Sequence, residues 1–257
     1  MKKILYGLAF LASISISSCE KETINPDDTL GNISGMGNNT GNHLVKGPFS
    51  LPEGILYVNS IIESEKQTLS STQFGSGSGI RLEMTLYNPT DILKTVFLQK
   101  GLIFECNSPQ NHDGILLQTT WFNVNARSVR KVILNVYDLD SQQQPDTIRN
   151  TYDIIGESDS QVINKLLNSI GWRKINYEMI FGTLSGTKSS ASVPTYVEIG
   201  QRLQGIIDNL IYNMIDISAE DTEFIKGIPE LVKQDIPLMN EMGQFPTYFE
   251  EFKFSDI

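Results

Sequence analysis

Histidine, cysteine and tryptophan are all scarce: the 257-residue chain has two of each. Catalysis by a nucleophile and a histidine base would have to use His43 or His112. Basic residues are also few, 20 Lys and Arg against 30 Asp and Glu, for a formal charge of −10. Such a chain repels phosphate backbones, and no basic stripe offsets this, so nucleic acid is excluded as a partner. No apolar run is long enough to stay in a bilayer as a spanning helix. What remains, 40% hydrophobic and 19% charged residues, is the composition of a globular body large enough to bury a core.

The N-terminus carries the most specific signal. Lys2 and Lys3 precede an apolar, small-residue stretch over 4–16, the layout of a secretory signal. It ends in Ile16, Ser17, Ser18 and Cys19, which resembles the lipobox of bacterial lipoproteins. The resemblance implies cleavage before Cys19, a diacylglycerol on its thiol and a palmitate-type chain on its freed amine. Several acyl chains, at about 0.8 kcal/mol per buried CH₂, hold a protein on a membrane where one would not. Residue 20 is Glu, where an aspartate would resemble the inner-membrane retention signal of Gram-negative lipoproteins. The expected address is therefore the outer membrane, on either the periplasmic or the cell-surface face; Glu20, Lys21 and Glu22 resemble charged surface-export signals. With Cys19 acylated, Cys106 has no disulfide partner in the chain, and one usable histidine plus one cysteine cannot assemble the usual zinc ligands.

Pattern divides the chain into four stretches. Residues 1–18 are the signal peptide, and 19–46, rich in Gly, Asn, Thr and Asp, read as the lipidated end and a flexible tether in which His43 is unligated. Over 47–152 the runs 55–62, 80–87, 95–106, 115–122 and 128–137 are rich in β-branched, aromatic and leucine residues and separated by turn residues. Alternation is clearest in Ile80, Leu82, Met84 and Leu86; Gly101 marks a bulge or bend in the third run. Over 153–257 the period is helical. Ser158 and Gln161 form a capping box before a helix ending at Gly171, a second helix runs over 196–217, and Ser218 with Asp221 caps a third. The aromatic tail 245–254 is expected to dock on the body. The fold expected is α+β: an Ig-like antiparallel β-sandwich followed by a helical C-terminal portion packed against it.

Chemistry is hard to find. His112 sits among Ser, Pro, Asn, Asp and Gly in what reads as a solvated hairpin loop, and Asp138 and Asp140 read as solvated acids at a strand end. No catalytic residue, metal ligand or cofactor is assigned. Trp121 and Trp172 are the candidate ligand-binding residues, as stacking platforms for a sugar; otherwise they seal the junction between the β and helical parts. The expected role is a non-catalytic binding or structural module of the cell envelope, meeting a protein or glycan. Two competing classes are a carboxylate-dependent envelope hydrolase, which needs two converging acids, and an adhesion or fimbria-like assembly component, which needs exchangeable edge strands.

Overall fold

The computed structural model describes residues 28–64, 73–77, 79–108, 112–142, 150–176 and 195–230. Among these residues strand outweighs helix, 36% against 21%, and the strands close into a barrel instead of facing each other as two layers. In chain order the strands are β1 (Asp28–Thr29), β2 (Asn32–Ile33), β3 (Leu56–Tyr57), β4 (Ile61–Glu63), β5 (Gln73–Gly75), β6 (Ile80–Asn88), β7 (Lys94–Leu98), β8 (Leu102–Cys106), β9 (Gly114–Ile115), β10 (Thr120–Val124), β11 (Ser128–Asp138) and β12 (Thr151–Glu157). The helices are α1 (Gln161–Ile170), α2 (Tyr196–Ile211) and α3 (Ala219–Gly227).

Six of these strands form a closed antiparallel ring in the order β6, β4, β12, β8, β9, β11 and back to β6. The closing ladder is the longest, running from Ser128↔Asn88 to Val136↔Ile80. This overturns the expected Ig-like sandwich. A strand with one apolar face serves a sandwich or a barrel equally well, and the pairing between β6 and β11, about fifty residues apart, decides between them. Closure also needs β12, which straddles the boundary expected at 152/153. The run expected over 95–106 is two strands with a turn between them, where Gly101 takes φ +85. The run over 115–122 likewise splits, and β10 leaves the ring to pair with β7 in a separate two-stranded sheet.

The barrel interior holds Leu82, Met84, Leu86, Phe104, Leu134 and Val136, all essentially inaccessible. Val96, Leu98, Phe122 and Val124, the buried face of the β7–β10 sheet, join the same cluster. The residues that alternate outward, Ile103, Ile115 and Tyr137, face a second core built from α1 and α2. α1 contributes Ile163, Leu166, Leu167 and Ile170, and α2 contributes Ile199, Leu203, Ile206, Ile207 and Leu210. α1 ends at Gly171 as expected, but its N-cap is Ser160, which accepts from the Ile163 amide; Ser158 lies two residues earlier and accepts from the Ser160 amide instead. α2 stops at Ile211, short of the expected 217, and starts in a Thr195/Glu198 capping box. The Ser218/Asp221 box opens α3 as expected. The tail 245–254 lies outside the described residues.

The segment expected to be a tether is in large part folded. From Asp28 onward it lies across the body: Ile33 and Met36 are buried in the helical core, and the Gly31 amide donates to Leu210 O. Asp28 reaches the start of α1, where its carboxylate accepts from Ser160 Oγ and the Gln161 amide, both at 2.6 Å. A carboxylate at a helix N-terminus is stabilised by the free amides there. Gly, Asn and Thr in this arm serve turns, so their density signals irregular structure and not solvation.

Candidate functional site

β3 and β4 are one broken strand on the edge of β6: Leu56↔Tyr87 and Tyr57↔Leu86 belong to one register, Ile62↔Glu83 and Glu63↔Leu82 to another. Asn59 and Ser60 are the extra residues between the two registers, a bulge that bends the strand away from its other neighbour. That neighbour is β12, which pairs with β4 only at Thr151↔Ile62 and Tyr152↔Ile61. Its edge regains a partner only at the bridge Ser158↔Val45. β12 is bulged as well, between Ile154 and Gly156, and a Cβ on Gly156 would stand 2.2 Å from Gly47 O. Two irregular strands thus diverge and leave a seam in the barrel wall.

The seam is a solvent-open groove of about 1080 Å³. One lip is 57–62, the other 151–154, and Phe49, Leu51 and Ile154 form its floor. These three floor residues are the half-buried flank of the barrel core. Along the first lip Leu56, Tyr57 and Val58 are exposed by 54%, 42% and 46%. The second lip carries Asp153, directly opposite Glu105 of β8 and held by Asn107 Nδ2 at 3.1 Å. The half-enclosed setting of Tyr57, together with the Asp153 carboxylate, pushes its phenol up to about 12, so it stays a neutral donor.

A polar network occupies another part of the barrel wall, near the ends of β8, β9 and β11. His43 Nε2 lies 2.7 Å from Asp113 Oδ2, and His112 Nδ1 lies 2.6 Å from Asp138 Oδ2. The Asp113 amide donates to Asp140 Oδ2 and the Asp140 amide to Asp138 Oδ1, which links the two pairs. Asp113 Oδ1 also accepts from the Cys106 amide, and Asp140 Oδ1 from the Gly37 amide of the N-terminal arm. Gln204 of α2 bonds both the amide and the carbonyl of Asp138. Both histidines therefore sit in packed surroundings, against the expectation of an unligated His43 in a tether and a His112 in a solvated loop. Asp138 and Asp140, expected to be solvated, are 7% and 5% exposed. Burial, with Asp113 and Asp138 nearby, pushes the Asp140 carboxyl up to about 7 despite its two amide donors, and burial also raises Asp138.

Chemically, a carboxylate that orients an imidazole is half of a proton-transfer device. Among the described residues the other ring nitrogens, His43 Nδ1 and His112 Nε2, are buried and meet no hydrogen-bonding group. Among the described residues no group of His, Cys, Asp and Glu side chains could hold a metal ion. The arrangement fits a tie between the arm, the barrel and α2. Cys106 is a buried thiol outside any disulfide, and burial raises its pKa, which keeps it protonated and a weak nucleophile.

Trp121 is half-buried on β10, opposite Phe97 of β7, while its neighbour Phe122 turns inward, as alternation requires. Trp172 is half-buried just after α1, beside a segment tied to Gln118 through the Ile175 and Asn176 amides. Neither tryptophan lines the groove. Sequence reasoning missed the groove because its lips come from strands nearly a hundred residues apart; the only local trace was the polar Asn59–Ser60 break in an otherwise apolar run. Cys19 precedes the described residues, and no helix among them is long and apolar enough to cross a membrane. Comparison with family models, curated proteins and solved structures finds no match to this chain.

Proposed function

We propose that the protein is a lipid-anchored, non-catalytic binding module of the cell envelope, acylated at Cys19 in the outer membrane, which holds a protein or glycan ligand in the seam between β3 and β12. The groove carries this reading: an apolar floor continuous with the barrel core, edged by polar backbone, suits capture of a ligand. The signal layout and the lipobox-like Ile16–Cys19 support the anchor.

The anchor is tested by palmitate labelling and membrane fractionation in a Gram-negative host. Wild type should take up label and sediment with outer membranes, and Cys19→Ala should do neither; an unlabelled, soluble wild type overturns this half. Binding is tested by placing a photo-crosslinking residue at Val58. Adducts should form there in the membrane-bound protein and not at Val197, which is more exposed, on α2. Equal yields at both sites overturn the binding half.

A further inference from the structure

The two lips of the groove are strand edges that lack a neighbour. β3 pairs with β6 alone, and its other edge meets no strand among the described residues. β12 has β8 along one side, while on the other only the short stretch 153–155 lacks a paired strand among the described residues, before Gly47 closes on Gly156 and the Lys46 amide donates to Glu157 O. A barrel normally removes such edges by closure. Here closure is complete around β4 and fails beside β3, so backbone donors and acceptors face a groove instead of a ladder. Unpaired backbone polar groups beside an apolar floor favour a ligand that brings both a peptide backbone and aliphatic side chains.

We infer that the groove accepts an extended polypeptide segment as an added strand between β3 and β12, with aliphatic residues facing in and basic residues facing out. The inward positions follow from the floor, since Phe49, Leu51 and Ile154 already pack on the barrel core and would receive every second side chain of the segment. The outward positions follow from charge. Asp153 and Glu105 are both exposed and directly opposed, and like charges across a ladder destabilise each other. Asp153 has only an amide partner, and no lysine or arginine pairs with either acid among the described residues. A lysine or arginine on the incoming strand relieves that repulsion. The same acids argue against a second copy of this chain as occupant, because edge-to-edge pairing would bring four acids together on a body already at −10.

This inference rests on the binding half of the proposed function and not on the anchor. It is tested with full-length protein by hydrogen exchange in the presence of blocked heptapeptides. The probes are alternating valine and lysine, alternating valine and glutamate, and the valine–lysine peptide N-methylated at every second residue. The valine–lysine peptide should slow exchange in 56–60 and 153–156. The glutamate and N-methylated peptides should bind at least tenfold more weakly, and Asp153→Asn should narrow the lysine-to-glutamate ratio. Full potency of the N-methylated peptide overturns the inference, because it lacks the donors for one of the two ladders, the one to β3 or the one to β12. So does protection of these amides by dimerisation without peptide, or protection confined to other segments. A β-linked hexasaccharide that protects the groove where no peptide does also overturns it while leaving the binding module standing.

Discussion

Two junctions in one barrel wall are built very differently. β6 and β11 are zipped over nine residue pairs, whereas β4 and β12 share two. The long junction has regular alternation and buries Leu82, Met84, Val132 and Leu134 at zero exposure; the short one is bulged on both strands and leaves Leu56 and Val58 in solvent. Ladder length and core burial go together because each further pair places another inward side chain. The barrel is therefore secured on one side and free to be used on the other.

The largest expected effect breaks the secured side. Leu82→Ala removes a fully buried side chain from β6 and should cost about 2–5 kcal/mol, measured as a fall in the urea midpoint with unchanged slope. A loss below half a kcal/mol would mean that the β6–β11 wall is not the main source of stability.

A second comparison sets the buried network against the groove, and pH sharpens it. Asp140 holds its proton up to about pH 7 in the folded state, against an ordinary 3.8 when the chain is unfolded. Between these values the folded state binds more protons, so this group's contribution is full below about pH 4 and is lost as pH rises through about 7. Asp140→Asn should flatten the fall in stability over that window, by on the order of a few kcal/mol, in denaturation curves taken from pH 4 to 8. Parallel curves for the two proteins would rule out a proton on Asp140.

The smallest effect is expected at the seam. Leu56→Ser changes a side chain that is 54% exposed and should shift stability by less than about 0.5 kcal/mol. A loss comparable to that of Leu82→Ala would show the lip to be part of the core.

These contrasts also mark what could be read in advance. The alternation in 80–87 placed Ile80, Leu82, Met84 and Leu86 on the buried face, and Gly171 and the Ser218/Asp221 box ended and began helices where local chemistry required. Closure was not legible, because nothing local in β6 names β11 as its neighbour. Ile33 and Met36 were hidden by the turn-forming residues around them, although both fill the helical core. The Asp113, Asp138 and Asp140 network was illegible for the same reason. Spacing shows three acids near a strand end, while their burial depends on His43 and Gly37 arriving from an arm some seventy or more residues away.

The arm sets one further constraint. The described fold begins at Asp28 and not near residue 47, so on the proposed reading that Cys19 is acylated, nine chain steps, at most about 30 Å, lie between it and the acyl group. On that reading the module would work within a thin layer above the lipid headgroups. Under the same proposal, the strand it binds would have to be presented there, by another resident of the same surface or by a chain emerging through it.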